Sequence, residues 1–139
     1  MENNPKLNAS GCRDMTAYEA IQTVDREARL KPDLSKVYIC SPFAGDIGAN
    51  VEKALQYCRF ALNKGNFPIA PHCYLPRFMD DNNPAERELG LSFGLRLLYE
   101  CRELWVFGTR ISEGMKREIL AAKWRGIRIR QFSENMEEM

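Results

Sequence analysis

Apolar residues recur along residues 36–132 at two different spacings, and the change from one spacing to the other predicts strands followed by helices. Residues 36–40 form a short β-rich run, and residues 46–64 carry apolar residues at helical spacing before Gly65 ends the segment. These helical positions are Val51, Leu55, Cys58 and Leu62. The core of the chain is therefore predicted to begin with a strand and an amphipathic helix.

The same alternation continues to residue 132. In the second predicted strand, residues 67–70, Pro68 favours a sheet edge or an irregular entry. Asn83 and Pro84 predict a helix start, and we interpret the leucine-rich segment up to Cys101 as a helix, although its leucines also alternate as in a strand. The pattern is completed by a strand over 104–107, a helix from Ser112 to residue 125 and a strand over 127–132.

Repeated strand and helix segments of this length predict an α/β fold: a single-domain three-layer sandwich with a parallel, flavodoxin/Rossmann-like sheet. We expect one core domain over residues 35–132, with Trp105 and Trp124 in its core. Residues 1–34 are predicted to be an N-terminal appendage, helical over 16–29, and residues 133–139 a flexible acidic tail.

Composition and charge narrow the expected partners. Twenty Lys and Arg residues against nineteen Asp and Glu residues leave a net charge of +1, so we expect a small-molecule ligand and no nucleic acid polymer. The chain has no apolar run of about 18 residues and a polar start, which predict no membrane association and a cytoplasmic location. Gly90 and Gly94, one helical turn apart, predict close approach by a second subunit and hence a homo-oligomer.

The cysteines argue against a metal site. All five are widely spaced without a Cys-x-x-Cys pair, and His72 is the single histidine, so we expect no metal and no cofactor. This usage is typical of a reduced cytosolic protein, in which Cys40, Cys58 and Cys101 are small buried hydrophobic residues.

The segment from Ser112 to Glu118 carries the strongest chemical signal. It follows an apolar strand and opens a helix, so in a parallel sheet it lies at the carboxyl edge, where ligands bind. Ser112 is the predicted N-cap, and Gly114 lies one turn before Glu118, too small to cover that carboxylate. The hydroxyl and the free amides of the first turn predict a phosphate or sugar site, with a plain helix cap as the alternative.

Three separated signatures together resemble a known superfamily. They are residues 37–45 at the first strand exit, the Pro71-His72 pair after the second strand, and Ser112-x-Gly114-x-x-x-Glu118 after the third. In this order they are similar to the nucleoside 2-deoxyribosyltransferase-like superfamily. That superfamily includes deoxynucleoside 5'-monophosphate N-glycosidases and small uncharacterised, often phage-associated domains, which the chain resembles most over residues 36–132.

The resemblance implies roles for particular residues. Glu118 matches the glutamate that attacks the anomeric carbon, and Tyr38 matches the tyrosine that steers this nucleophile. Ser112 stands where the monophosphate-specific branch has a hydroxyl, which implies a phosphorylated substrate. The loop that borders sugar and phosphate corresponds to Ser41, Pro42, Phe43 and Gly45.

Other features extend or qualify this site. Residues 71–83 are long for a connection and predict a binding loop, from which His72 and Asp81 are candidate ligand contacts. Arg87 stands where the N-glycosidases carry an aspartate, so the group that protonates the leaving base is unassigned. The sequence therefore favours an enzyme that cleaves or transfers the N-glycosidic bond of a nucleotide or nucleoside. The alternative is a non-catalytic domain that binds or senses a nucleotide derivative.

Overall fold

The structure is a computed structural model that describes residues 16–30 and 34–139. The chain divides into two compact units, residues 1–33 and 34–139. In the first unit, helix α1 (Thr16–Leu30) forms where the sequence predicts one and exposes Ile21 and Val24. Residues 1–15, which include Cys12, and residues 31–33 lie outside the described residues.

The second unit alternates strands and helices as predicted. Its elements are β1 (Ser35–Cys40), α2 (Ile47–Asn63), β2 (Asn66–Ile69), α3 (Pro84–Tyr99), β3 (Glu103–Phe107), α4 (Glu113–Arg125) and β4 (Arg128–Phe132). The leucine-rich segment is thus a helix, α3. Two short 3-10 turns, Pro71–Cys73 and Leu75–Arg77, lie within the predicted binding loop.

The four strands form one sheet in the order β2-β1-β3-β4, and every pairing is parallel. This confirms the predicted α/β class, and β2 with its Pro68 lies at the edge of the sheet. The chain moves from β1 outward to β2 and then returns to the other side of β1. The carboxyl ends of β1 and β3 therefore flank the point where the strand order reverses, the usual ligand position in an open parallel sheet.

Successive residues of β1 bury their side chains on opposite faces of the sheet. Val37 and Ile39 pack in a cluster with residues of α2, whereas Tyr38 and Cys40 pack in a second cluster with residues of α3 and α4. Helices thus cover both faces, which explains why the central strands are apolar along their length. The same alternation directs Tyr38 and Cys40 toward α4.

Helix ends follow the capping residues in the sequence. Asp46 caps α2 by accepting from the Ala49 amide at 3.2 Å, and Asn83 caps α3 by accepting from the amides of Ala85 and Glu86. Gly126 ends α4 with a φ of 72°, in the left-handed region that favours glycine. These caps fix where α2 and α3 begin and where α4 ends.

One expectation about the surface is wrong, and one stays a prediction. Trp124 is 79% exposed, because it lies two positions after the inward-facing Ala122 and hence on the opposite side of α4, whereas Trp105 is fully buried. The acidic tail, which the sequence predicts to be flexible, makes contacts with β4. Glu138 pairs antiparallel with Phe132, and its carboxylate accepts two hydrogen bonds of 2.8 Å from Arg130, a basic residue of the edge strand β4.

Among the residues that the structure describes, no helix is both long enough and apolar enough to cross a membrane.

Candidate active site

A cavity of about 450 Å³ opens at the carboxyl edge of β1 and β3. Its walls come from the end of β1, the loop that follows it, the 3-10 turns, the first three turns of α3 and the start of α4. Most of the predicted site residues meet on these walls: Tyr38, Ser41, Phe43, His72, Asp81, Ser112, Gly114 and Glu118.

Pro42 and Gly45 are not on the cavity wall, although their loop contributes Phe43 to it. Gly45 has a φ of +98°, so it supplies the turn that leads into α2. Asn50 of α2 holds the loop by donating from Nδ2 to the carbonyls of Phe43 and Ala44, at 3.1 and 3.0 Å. Sequence reasoning missed Asn50; its place in the first turn of the helix after the loop was the available signal.

Glu118 lies in the second turn of α4, and its Oε2 atom is buried without a hydrogen-bond partner among the described residues. Removing a carboxylate from water disfavours its charged form. Burial therefore raises the pKa of Glu118 to about 8, although the Tyr38 hydroxyl, the Cys40 thiol and the Arg117 charge act in the opposite direction. A carboxyl group that faces a ligand-sized cavity and lacks its own partners is poised to interact with a ligand.

Tyr38 and Cys40 lie on the same face of β1 and both adjoin Glu118. Burial, followed by the charge of Glu118, raises the pKa of the Tyr38 phenol well above its usual value and does the same for the Cys40 thiol. Both groups stay protonated near neutral pH and can act as hydrogen-bond donors. Cys40 is thus more than the small hydrophobic residue predicted, and its position two residues after Tyr38 was the signal.

Gly90 and Gly94 face the cavity of their own chain rather than the second subunit that the sequence predicts. A Cβ atom at Gly94 would lie 3.4 Å from the Tyr38 hydroxyl oxygen, and one at Gly90 would lie 3.6 Å from the Met79 sulfur. The missing side chains therefore make room for Tyr38 and Met79, which accounts for both glycines. The homo-oligomer remains a prediction without this support.

His72 reaches the cavity from the first 3-10 turn. Its Nε2 lies 3.1 Å from the Ser41 hydroxyl oxygen, and its ring meets the Phe43 ring edge-on at 6.4 Å between centroids. Burial lowers the pKa of His72 to about 4, so the imidazole is neutral at neutral pH. The Ser41–His72 pair can therefore offer a hydrogen bond from the cavity wall to a ligand, but it adds no positive charge to the site.

Ser112 caps α4, as expected for the helix cap that the sequence offers as the alternative to a phosphate or sugar site. Its Oγ accepts from the Met115 amide at 3.3 Å, which leaves the hydroxyl proton free to donate. The space over Gly114 is open, since a Cβ atom there would meet nothing within 4 Å. Glu113 also lines this corner, with a carboxylate paired to Lys116 at 3.1 Å. The helix start thus offers neutral donors beside one neutralised acid.

Charged residues that were not among the predicted site residues complete the walls. Arg87 and Glu86 from the first turn of α3 line the cavity together with Asp81, and Arg117 lies on it next to Glu118. Arg87 precedes Gly90 by three residues, so a shared helix face was the signal for it. Asp80 does not line the cavity, and its carboxylate accepts from the Asn82 amide at 3.0 Å.

No group of three or more His, Cys, Asp or Glu side chains within residues 16–30 and 34–139 is arranged to hold a metal ion.

The fold and the cavity define a parallel α/β domain with a ligand-sized cavity at the carboxyl edge of its sheet. The chain belongs to the family described as "Domain of unknown function (DUF7768)", which matches residues 35–132. No curated protein matches the sequence. Among solved structures, the chain is similar to the 2-deoxyribosyltransferase of the psychrotolerant bacterium Bacillus psychrosaccharolyticus. The TM-score is 0.57 at 20% identity, over 71% of this chain and 72% of that one. This likeness shows a shared fold.

Proposed function

We propose that the protein cleaves or transfers the N-glycosidic bond of a nucleotide or nucleoside, with Glu118 as the nucleophile. The observation that carries this proposal is the buried, unpartnered Oε2 of Glu118 on the wall of a ligand-sized cavity. The Tyr38 hydroxyl lies beside the same carboxyl group, as the resemblance to deoxyribosyltransferases implies. The fold shared with a 2-deoxyribosyltransferase supports the same reaction class.

The chemistry suits a carboxylate because cleavage of a glycosidic bond develops positive charge on the sugar. The ionised Glu118 attacks C1' and forms a C–O bond, while the C1'–N bond breaks and its electron pair leaves with the base. The base takes up one proton. Water or an acceptor nucleobase then attacks C1', releases the carboxylate and loses a proton, so the enzyme returns to its starting state.

The leaving base needs hydrogen-bond donors at the cavity mouth. Arg87 replaces the aspartate of the N-glycosidases, and a guanidinium can donate hydrogen bonds but not a proton. Glu86 and Asp81 are the carboxyl groups on the same part of the wall. In this proposal one of these two acids supplies the proton, and Arg87 binds an acceptor atom of the base.

The sugar carries a 5'-phosphate in this proposal. The Ser112 hydroxyl, the first amides of α4 and the open space over Gly114 suit an anion. The Lys116 ion pair offsets the negative charge of Glu113 at this corner.

Base release measures the proposed activity directly. The parent protein is incubated with a panel of nucleosides and nucleoside 5'-monophosphates, and the free base is separated by chromatography. We expect release from at least one monophosphate and a loss of several orders of magnitude in Glu118→Gln, because an amide cannot form the covalent intermediate. Glu52→Gln, an exposed change on α2 across the sheet, is the matched control. Full activity in Glu118→Gln would remove Glu118 from the mechanism.

A non-catalytic nucleotide-binding domain is the second candidate. Two observations favour it: Arg87 replaces the family acid, and a pKa of about 8 leaves Glu118 mostly uncharged at neutral pH. Such a domain would be stabilised against heat by a nucleoside monophosphate without releasing base, because a ligand that binds only the folded state raises its stability. Base release and thermal denaturation measured on the same samples separate the two functions: an enzyme releases the base, whereas a binding domain is stabilised without releasing it.

A further inference from the structure

One carboxyl oxygen of Glu118 has no hydrogen-bond donor among the described residues, although the protonated Tyr38 hydroxyl and Cys40 thiol both adjoin the carboxyl group. Oε2 is fully buried and has no partner in the described part of the chain. A buried carboxylate oxygen without a hydrogen bond is costly once it is charged. A nearby group that turns its hydrogen toward the carboxylate therefore favours ionisation of Glu118.

Cys40 is placed to provide that hydrogen. It is fully buried at the end of β1, and its side chain lies on the same sheet face as Tyr38. Its Sγ now contacts the carbonyl oxygen of Met115 at 3.9 Å, one turn of α4 before Glu118. A thiol is a weak donor and this contact is long, so the thiol gives up little by turning away from Met115.

We propose that Cys40 is a positioning residue for Glu118, whose thiol turns from the Met115 carbonyl to Oε2 when the carboxyl group ionises. Cys40 acts only through Glu118 and contacts no substrate. The inference rests on the proposed function for its catalytic meaning, because a nucleophile must be ionised to attack. The hydrogen bond itself is a property of the free protein.

Other charged and titratable groups near Glu118 lie on α4, on β1 and on the remaining cavity walls. On α4 the Arg117 charge favours ionisation, and on β1 the Tyr38 hydroxyl, which adjoins the carboxyl group, favours it as well. The remaining titratable groups of the cavity are His72, Asp81, Glu86, Arg87 and Glu113. Of these, His72 is neutral above a pH of about 4, because burial lowers its pKa, and does not change charge while Glu118 ionises.

The test is the titration of the Glu118 carboxyl group in the free protein. Its carboxyl carbon is followed by carbon-13 NMR as pH is raised and is assigned by its loss in Glu118→Gln. Cys40→Ser, which supplies a stronger donor of similar size, should lower the midpoint by about 0.5 to 1 pH unit. Cys40→Ala, which supplies none, should raise it by a similar amount. Cys101→Ser changes another buried thiol, which bonds to the Leu97 carbonyl, and should leave the midpoint in place.

A second measurement follows the parent protein, in which the band of Cys40 among the five thiols is assigned by its loss in a Cys40 variant that folds. The infrared S–H stretching band of Cys40 should shift to lower frequency as Glu118 ionises, because a hydrogen bond to a carboxylate is stronger than one to a distant carbonyl. Unchanged midpoints in both folded Cys40 variants, or an S–H band that stays constant through the titration, would overturn the proposal. Since neither measurement needs a substrate, a failure here is distinct from an absence of base release.

Discussion

Replacing Glu118 with glutamine should stabilise the folded protein increasingly as pH rises. Burial raises the pKa of this carboxyl group from 4.5 to about 8. Between these values the folded protein holds a proton that the unfolded chain releases, so the parent loses stability as pH rises through the window. A glutamine at position 118 has no proton to lose, and its variant escapes this loss.

The magnitude follows from the size of the pKa change. A difference of about 3.5 is worth about 5 kcal/mol at full ionisation, of which about 4 kcal/mol develops between about pH 5 and pH 9. Water that enters the cavity lessens the penalty for the buried charge. We therefore expect the free energy of unfolding of Glu118→Gln, relative to the parent, to increase by about 2 to 4 kcal/mol over this range.

Urea denaturation at about pH 5, 7 and 9 measures this difference directly. The amide placed at the buried Oε2 position can cost about 1 to 3 kcal/mol at every pH, so the slope with pH is the decisive quantity. The exposed control Glu52→Gln should show no such slope. A constant difference between Glu118→Gln and the parent, or a gain that shrinks as pH rises, would refute the reasoning about burial.

Three further predictions concern the phosphate, the glycine wall and the surface. A nucleoside 5'-monophosphate should bind better than its nucleoside by about 1 to 3 kcal/mol in calorimetry, and Ser112→Asp should reverse this preference by placing a like charge against the phosphate. An unchanged ratio in Ser112→Asp would mean that Ser112 only caps its helix. Gly94→Val should displace the Tyr38 hydroxyl, which lies 3.4 Å from a Cβ atom at that position, and reduce base release at least about tenfold. Gly48→Val, in the open first turn of α2, should not reduce base release. Equal base release by Gly94→Val and Gly48→Val would show that Tyr38 takes no part in the reaction. The chain should sediment as a homo-oligomer that Trp124→Lys weakens, because α4 exposes Trp124 and Leu120 one turn apart, 79% and 65% accessible. A parent protein that sediments as a monomer at micromolar concentration would contradict this.

The sequence predicted the fold closely because its signals are local. Apolar spacing identified each strand and helix, and the capping residues Asp46, Asn83 and Ser112 marked the helix starts. Where those local signals are ambiguous, contacts between residues far apart in the sequence decide what a residue does. Gly90 and Gly94 pointed to a second subunit on sequence grounds, and only the placement of Met79 and Tyr38 shows what they accommodate.

The candidate site was predictable in part for the same reason. Residues near the carboxyl ends of the strands, such as Tyr38 in β1 and Ser112 after β3, reach the cavity because the parallel topology brings these ends to one edge. Cys40 was not predicted as a site residue, and Arg87 was noted only because it stands where the N-glycosidases carry an aspartate. The roles of both depend on which side chain faces them across the sheet or the cavity. The orphaned Glu118 oxygen is likewise a property of packing that spacing along the chain does not encode.

The central claim is that Glu118 forms a bond to the sugar, and a trapped intermediate tests it most directly. The protein is mixed with each nucleoside 5'-monophosphate, quenched in acid within one turnover, digested and examined by mass spectrometry. We predict a sugar phosphate attached to the peptide that contains Glu118, formed together with one equivalent of free base and absent from Glu118→Gln. Base release by the parent without this adduct, at an undiminished rate in Glu118→Gln, would contradict the account.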